Sequence, residues 1–524
     1  MKVNAKFLAV LLALLMVLTA CGGNNAGTTN STDTTGNTGN ANAGGVKDTL
    51  IIGNYSEPTV LDPPNQNMVP AALVNVQIYD GLLRQNNDTG EIEPCLATSW
   101  EYVDDYTIRF TLRDDVYFHN GDKMTAEDVK FSFDRGATCT QKSMIFEPFD
   151  TAKTKIIDDY TIELGTKEVF PAVFSYLTNN GTLIVSKSAV EAAGSDDVFG
   201  RNPVGTGAYE FVEWIAGDRV VLKRNENYWG EAPEFENLII RTIADDTTRA
   251  LALESGEVDI AYNLAAAQVE MLESSQTVDV IKFPSYTTQY CGLNAGYEPL
   301  SDKRVRQALR YAVDMDTISE IAFNSGIPAD GPVTPALSCY VEASEDLKYH
   351  QDIEKAKQLM KEAGYENGFD LVLTCNETQP RITMAEMLAN AWKEIGVNTE
   401  VRTMEFSAQL TEIYAGEAQA FLLGFVAGGN DGEFYRAMFQ TGNDGAEWIH
   451  FNVPEINEKF DLAAKEMDPE IRNQYYAELQ DMLREEMPWL YVRYAENICG
   501  IQKNLTGLDL DPEWYSEYRF VTSK

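Results

Sequence analysis

The chain has 524 residues, of which 44% are hydrophobic, so it is long enough to form two or three domains with their own cores. It carries 81 acidic and 41 basic residues, which gives a formal net charge of −40. A chain this acidic is repelled by phosphate backbones, and we therefore expect no nucleic-acid partner.

Residues 1–20 predict a secretory signal peptide. Two lysines precede an unbroken apolar run over residues 7–18, which is shorter than the roughly 20 apolar residues that span a bilayer. The segment LTAC ends at Cys21 and resembles the lipobox of bacterial lipoproteins, in which cleavage leaves the cysteine as the lipid-bearing N-terminus. The alternative is an ordinary signal peptide followed by a chance cysteine.

Residues 22–46 consist mainly of Gly, Asn, Thr and Ser, and such a segment buries too little apolar surface to fold. We expect residues 21–47 to comprise the lipidated cysteine and a flexible tether. No later stretch is long and apolar enough to cross a membrane. The sequence therefore predicts a folded body that is lipid-anchored to the cell membrane and faces outside, or lies in the periplasm.

The first half of the folded body is rich in strand patterns. Residues 49–54, TLIIGN, predict a strand, and residues 107–113 alternate apolar and polar side chains with the period of a half-buried antiparallel strand. Thr125 stands three residues before Asp128 in a variant of the capping box, which predicts the start of a short helix.

The middle of the body adds helices to this pattern. Residues 248–264 predict a helix, a turn at Gly256 and a strand. Ser301 is a candidate N-cap for an amphipathic helix over residues 301–314. A second amphipathic helix is closed by Gly364 at its C′ position.

Residues 369–403 predict a βαβ unit, which requires a parallel pair of strands with a right-handed crossover. The next segment, FLLGFV (421–426), is apolar on both faces, as expected for a central parallel strand. Ligands bind in α/β sheets at the carboxyl ends of such strands, and glycines there allow a close approach. The residues in this position are Gly428, Gly429, Asn430 and Asp431, and a plain tight turn is the alternative.

Five segments of the body carry a more specific resemblance. They are IYDGLLRQ, PCLATSWEYVDDYTIRFTLRDDVYFHNGDKMTAEDVKFSFDR, NPVGTGAYEFVEWIAGDRVVLKRNENYWG, LESGEVDI and LSDKRVRQALRYAVD. In sequence and order they resemble the family 5 extracellular solute-binding proteins, the peptide- and nickel-type receptors of bacterial ABC importers. The resemblance covers nearly all of residues 49–520.

This resemblance implies an α/β, two-lobed fold of the type II periplasmic-binding-protein class with an extra subdomain in lobe I. Lobe I would contain residues 48–70, 180–288 and 492–524, the subdomain residues 71–179, and lobe II residues 289–491. A hinge motion would enclose a ligand between the lobes. The implied partners are a membrane permease and its ATPase. The implied protein is a monomer without a cofactor.

The resemblance also implies a binding role for the loop after residues 421–426. Peptide-binding relatives carry a loop similar to GWxADYPDP there, whose aspartate pairs with the peptide's α-ammonium. In GFVAGGNDG the aspartate position is Gly428. Three interpretations follow: Asp431 or Glu433 pairs with the ammonium, the ammonium is bound elsewhere in the cleft, or the ligand has no ammonium.

Further candidate ligand contacts come from position in the family layout. They are Val60, which could offer its backbone, and the possible apolar or aromatic walls and border residues Phe146, Phe149, Phe425, Trp448 and His450. Aromatic residues are more often part of a core than of a site.

Peptides are the expected ligands, and an oligosaccharide or another polar solute is the alternative. A nickel site is disfavoured because His119, His350 and His450 are the only histidines and form no close pair in sequence. An extracellular hydrolase is the alternative from another class, but the sequence contains no GxSxG or HExxH motif. We therefore expect a binding protein without catalytic activity.

Overall fold

The computed structural model describes residues 48–524, so the predicted signal peptide, Cys21 and the tether lie outside the described residues. None of the helices in the described range combines the length and apolar character needed to cross a bilayer. The cysteines of this range are unpaired thiols and are, in chain order, Cys95, Cys139, Cys291, Cys339, Cys375 and Cys499.

Strands occur along the whole described range. In chain order they are β1 (Thr49–Asn54), β2 (Leu83–Gln85), β3 (Ile92–Pro94), β4 (Ala97–Asp104), β5 (Thr107–Leu112), β6 (Lys155–Asp158), β7 (Thr161–Gly165), β8 (Tyr209–Ile215), β9 (Arg219–Arg224), β10 (Asn237–Thr242), β11 (Ile260–Ala261), β12 (Val278–Leu293), β13 (Ile327–Pro328), β14 (Phe369–Asn376), β15 (Val397–Met404), β16 (Ala420–Val426), β17 (Trp489–Gln502), β18 (Leu505–Thr506) and β19 (Thr522–Ser523).

Helices are interspersed with these strands. They are α1 (Val69–Ile78), α2 (Ala126–Gly136), α3 (Ser143–Phe146), α4 (Val173–Leu177), α5 (Lys187–Ala193), α6 (Asp196–Phe199), α7 (Asp246–Glu254), α8 (Ala266–Glu273), α9 (Glu298–Ser301), α10 (Lys303–Tyr311), α11 (Met315–Phe323), α12 (Ile353–Glu362), α13 (Gln379–Lys393), α14 (Phe406–Tyr414), α15 (Arg436–Phe439), α16 (Asp444–Trp448), α17 (Pro454–Ala463) and α18 (Pro469–Glu486). Short 3₁₀ helices occupy Pro63–Asn65, Asn180–Thr182, Gly432–Tyr435 and Tyr518–Phe520.

One large mixed sheet runs through the body in the order β15-β14-β16-β12-β17-β11-β1-β10-β9-β8, with β13 paired to β17. The pairs β14–β15, β14–β16, β1–β10 and β1–β11 are parallel. A separate antiparallel sheet, β4-β5-β7-β6, lies within the predicted subdomain. The α/β fold class predicted from the sequence is therefore present.

The two long strands β12 and β17 connect the two ends of the large sheet. Residues Val278–Pro284 of β12 pair with the C-terminal part of β17, and residues Thr288–Gly292 pair with its N-terminal part. The register shifts between Pro284 and Thr288. An interrupted ladder bends more easily than a continuous one, so a hinge motion, if the lobes move, is expected at this segment. It lies a few residues from the predicted lobe boundary at 288/289, which stays a prediction.

Most local predictions from the sequence are confirmed. Thr125 and Asp128 form the capping box that starts α2. The βαβ unit is β14, α13 and β15. The predicted N-cap Ser301 is wrong by one residue. Asp302 caps α10 instead, because its carboxylate accepts a hydrogen bond from the Arg304 main-chain N–H and a serine one residue earlier ends α9.

The buried strand before the candidate loop differs from its prediction in one respect. β16 pairs in parallel with β14 but antiparallel with β12. Its first residues are buried on both faces, as expected of a central strand. The loop at residues 428–431 therefore still follows the carboxyl end of a strand in the parallel part of the sheet.

Candidate functional site

An internal cavity of about 90 Å³ lies where three parts of the chain meet. The predicted subdomain and the segment after it contribute Asp80, Gln85, Asn87, Thr178, Asn179 and Asn180, among others. Strand β12 contributes Tyr286, and the loop after β16 contributes Gly428, Gly429 and Asn430. The C-terminal segment contributes Asp509, Asp511, Glu513, Tyr515 and Glu517. Enclosed cavities with convergent polar groups are the usual form of a small-ligand site.

The glycines of the loop after β16 are required by close packing. A Cβ atom on Gly428 would lie 2.9 Å from the Phe434 ring. A Cβ atom on Gly429 would lie 2.9 Å from the Ser175 Oγ and 3.1 Å from Phe434. Since real Cβ atoms are hardly ever that close to other heavy atoms, glycine is the residue that lets this loop reach the subdomain.

Two contacts attach the loop to the subdomain. The Asn179 Nδ2 donates a 2.8 Å hydrogen bond to the Gly428 carbonyl oxygen. The Tyr176 ring of α4 stacks on Phe434, with 4.8 Å between ring centroids and an interplanar angle of 6°. These contacts close the cavity on one side, so residues 428–430 form part of its wall.

The two acids that follow the glycines are engaged within their own part of the chain. Arg472 of α18 binds both carboxylate oxygens of Asp431, each at 2.7 Å. Glu433 pairs with Arg436 at 3.1 Å and accepts a hydrogen bond from the Tyr476 hydroxyl at 3.2 Å. Burial raises the pKa of Glu433, although Arg436 opposes the shift. Asp431 and Glu433 do not line the cavity in this conformation.

The C-terminal segment supplies an acidic wall on the opposite side, which we define as Asp509, Asp511 and Glu513. Asn87 donates to both carboxylate oxygens of Asp509 at 3.0 Å. The main-chain N–H groups of Glu513 and Tyr515 donate to the Asp511 Oδ1 at 2.7 and 3.1 Å. Within residues 48–524 no Lys, Arg or His nitrogen lies within 4.0 Å of these three carboxylates.

The surroundings of the acidic wall favour the protonated forms of its carboxyl groups. Burial, and then the neighbouring charge of Asp511, raises the pKa of Asp509 to about 6. Burial also raises the pKa of Asp511, against the hydrogen bonds from its own backbone neighbours. The pKa of Glu513 is raised by burial and by Asp511, while Lys142 opposes this shift.

Apart from Lys142, the cations near the cavity form ion pairs with acids outside the acidic wall. Arg84 lies in the cavity wall and forms an ion pair with Glu93 at 2.7 Å. Arg519 pairs with Glu517 at 2.5 Å. Lys142 faces Glu513 at longer range, and burial lowers the pKa of its ammonium group. Asp509 and Asp511 therefore have no cationic partner among the described residues, and their ionised forms are unfavourable in the empty site.

Of the predicted site residues, Gly428, Gly429 and Asn430 line the cavity, whereas the aromatic and apolar candidates lie elsewhere. Val60 is half-buried and packs near Gly200. Phe146 and Phe149 are buried in the subdomain core, at 5.8 and 5.0 Å from the Phe133 ring. Phe425 packs against Tyr435 and Trp489.

The last two candidates lie beyond the loop in the predicted lobe II. Trp448 packs on Tyr414, with 4.6 Å between ring centroids. His450 has a positive φ of 49° and its Nδ1 is 3.0 Å from the Asn294 Oδ1. Roles for these residues in ligand binding stay predictions, since they are not among the residues that line the cavity.

The acidic wall was missed by sequence reasoning. The only indication in the sequence was the repeated acidic residues in LDLDPEWYSEY. In a chain with 81 acidic residues, such a repeat does not stand out from the rest of the surface. The sequence did not predict that Asn179 and Asn180 line the cavity, because a pair of asparagines does not indicate which distant loop it will contact.

Comparison with known proteins places the chain among binding proteins. Residues 91–447 match the family model described as bacterial extracellular solute-binding proteins, family 5 Middle. The glutathione-binding protein GsiB of Salmonella paratyphi A is 28% identical over 482 residues, which is 88% of this chain and 92% of the relative.

Solved structures share the fold. HbpA2 from Haemophilus parasuis matches with a TM-score of 0.83 at 24% identity, over 91% of this chain and 100% of that chain. The periplasmic binding protein DppA from Helicobacter pylori, solved with the peptide STSA, matches with a TM-score of 0.75 at 23% identity, over 91% and 98%. These similarities confirm the predicted two-lobed fold class.

The Arg472–Asp431 pair is expected to support the fold of the loop. Replacing Arg472 with Met leaves a largely buried carboxylate without its partner, and we expect a loss of about 3–5 kcal/mol in the free energy of unfolding, measured by urea denaturation. The double variant Arg472→Met, Asp431→Asn should recover most of this loss. As a control, Lys167→Met removes an ion pair that is exposed on both sides and should change stability by less than about 1 kcal/mol. If Arg472→Met and the control variant lost the same free energy of unfolding, the stabilising role of the Arg472–Asp431 pair would be contradicted.

The acidic wall is expected to make the ligand-free protein less stable as the pH rises. The folded pKa of Asp509, about 6, lies above the ordinary aspartate value near 4, so the folded state binds more protons between these values. Its stabilising contribution is complete below about pH 4 and is lost as the pH passes about 6, a change on the order of 2 kcal/mol.

Urea unfolding from pH 4 to 7 measures this contribution as the difference between the native chain and Asp509→Asn, in which the ionisation is absent. The exposed Asp105→Asn variant serves as the control and should keep the native slope. A native chain whose stability rises with pH relative to Asp509→Asn would show the opposite sign and refute the assignment.

Proposed function

Because the chain belongs to the family 5 bacterial extracellular solute-binding proteins, we propose that it captures short peptides in the cavity beside Gly428–Asn430 and delivers them to an ABC importer. The ligand is enclosed when the two halves close about the hinge in β12 and β17. A membrane permease recognises the closed form, and its ATPase drives transport. The peptide is passed on chemically unchanged.

The observation that carries this proposal is the position and lining of the cavity. It lies between the loop after β16 and the subdomain, and the hinge segment residue Tyr286 is part of its wall. Amide side chains from Gln85, Asn87, Asn179 and Asn180 are among its lining groups. Such groups suit the amide units of a peptide main chain, which are the same whatever the side chains are.

The similarity to glutathione-binding proteins supports a peptide in preference to a saccharide. Glutathione is a small peptide, and the similarity to GsiB covers 88% of the present chain. The loop contacts at Asn179 and Tyr176 would then hold the closed state together.

The proposal includes a location and an assembly state. Cleavage before Cys21 and lipidation of this cysteine would anchor the body to the outer face of the membrane, since more than one acyl chain gives stable attachment. A monomer delivers one ligand to one permease, which is the arrangement we propose.

Ligand screening tests the peptide assignment directly. We expect the full chain, purified in detergent, to show a higher Tm with di- and tripeptides, because a ligand at 100 times its Kd adds about 2.7 kcal/mol to the stability of the folded state. The same Tm measurement is made in parallel with oligosaccharides and with Ni²⁺. Stabilisation by oligosaccharides alone, or recovery of cleaved peptides from the incubation, would refute the proposed function.

The anchor is tested by the change Cys21→Ser. The native chain should partition into the detergent phase and remain with the membrane fraction, whereas the variant should be released. The control is Cys139→Ser, which changes another cysteine that is not wholly buried and should leave membrane attachment intact. Membrane retention of the Cys21→Ser protein would contradict lipidation at this site.

A further inference from the structure

Two members of the acidic wall, Asp509 and Asp511, have no positively charged partner within 4.0 Å among the described residues. Asp509 and Asp511 are held only by neutral donors, namely the Asn87 amide and main-chain N–H groups. Neutral donors orient a carboxylate, but they do not cancel its charge. Two carboxylates that lie close together in a cavity wall repel each other, and a cationic group of a ligand could bind to both.

The other acids near the cavity do not share this property. Glu517 is neutralised by Arg519, and Glu513 faces Lys142. Asp80 accepts hydrogen bonds from Thr206, Tyr228 and Trp229 and lies on the side of Arg519. The surplus negative charge is thus concentrated at Asp509 and Asp511, which is enough for two positive groups or for one that both acids share.

A second feature of the same cavity indicates that the occupant also has a hydrogen-bond acceptor. Asn180 lines the cavity and is only 2% exposed. Its Oδ1 accepts a hydrogen bond from Gln66 at 2.7 Å. Its Nδ2 lies near the Tyr515 hydroxyl but makes no hydrogen bond of normal geometry within residues 48–524. A buried amide N–H without an acceptor is unfavourable, and a ligand carbonyl would satisfy it.

The position of the wall complements the loop after β16. That loop presents Gly428 and Gly429, which carry no charge, and its nearest acid, Asp431, is bound to Arg472. The carboxylates that face the cavity come instead from a segment more than 400 residues away from Asn87 in sequence, at the C-terminus. The charge of the site is therefore supplied from the side opposite the loop.

From these contacts we infer that Asp509 and Asp511 form the cation-binding part of the site and select short peptides that carry a basic side chain in addition to the α-ammonium. The inference rests on the proposed function and adds the charge class of the peptide. The Asn180 amide donates a hydrogen bond to a carbonyl oxygen of the same peptide. Gly428–Asn430 cover the peptide from the side opposite Asp509 and Asp511.

The experiment compares peptides of similar size and different charge. Isothermal titration of the full chain in detergent uses Ala-Lys, Ala-Gln and Ala-Glu, with N-acetyl-Ala-Lys as a fourth ligand. We expect Ala-Lys to bind about 30-fold more tightly than Ala-Gln, and Ala-Glu to bind most weakly, since a close pair of buried opposite charges has an effect of at least this size. Acetylation should weaken binding of the lysine peptide by a similar factor.

Variants locate the preference. Asp509→Asn and Asp511→Asn keep the shape of the wall and should each reduce the preference for Ala-Lys over Ala-Gln to a few-fold. Asp105→Asn is the matched control on the exposed surface and should keep the native preference. If one wall variant fails to fold, the other provides the measurement.

The outcomes separate this inference from the proposed function. Binding of all three dipeptides with equal affinity would refute the charge selection and leave peptide capture intact. A native preference that survives both wall variants would place the cation elsewhere and also refute it. Failure of every peptide, together with binding of an oligosaccharide or of Ca²⁺ or Ni²⁺, would refute the proposed function itself.

Discussion

The cavity depends on the docking of the loop after β16 against the subdomain. A single hydrogen bond, from Asn179 to the Gly428 carbonyl oxygen, and one aromatic stack, Tyr176 on Phe434, make this contact. Both are short-range interactions and need a close approach of the two backbones, which the paired glycines allow. Without the docking, the carboxylates and amides on the far side would face open solvent and would lose the low-dielectric surroundings that make them selective.

The proposed function requires this docking to be reversible. The loop belongs to the part of the sheet around β14 and β16, and its partners belong to the subdomain. The long strands β12 and β17 join these parts, and their ladder is interrupted between Pro284 and Thr288. A change in backbone angles over these few residues would separate Gly428 from Asn179. It would also disrupt part of the apolar packing that the subdomain shares with the region around β16, where Tyr176 and Phe434 belong to one buried cluster.

Much of the fold could be predicted from local patterns. Alternation gave β5, the capping box gave the start of α2, and glycines gave the ends of α12 and α13. The N-cap of α10 was misplaced because Ser301 and Asp302 are both good capping residues and propensity alone does not choose between neighbours. The parallel pairing of β14 and β15 followed from the crossover rule, whereas the antiparallel pairing of β16 with β12 joins distant segments and left no local sign.

The site was predictable only where local sequence was unusual. The string Gly428–Asn430 stood out because small residues follow a buried apolar run, and these residues do line the cavity. Asp431 also stood out, but its partner Arg472 lies on another helix, so sequence could not show that its charge is already neutralised. Asp509 and Asn87 meet across 422 residues of chain, and only the three-dimensional topology brings them together.

In the proposed mechanism, the carboxylates of Asp509 and Asp511 favour the open state of the empty site, since they have no cationic partner among the described residues. Closure moves Asp509 and Asp511 into a low-dielectric cavity, which is unfavourable for two like charges without a cation. The rise in the pKa of Asp509 to about 6 is the same effect expressed as proton affinity. A cationic ligand removes this penalty only in the closed state, and differential affinity of this kind is what shifts a two-state equilibrium. A neutral ligand of the same shape would still bond to the Asn180 amide, yet it would close the site less often because the repulsion between the two carboxylates would remain.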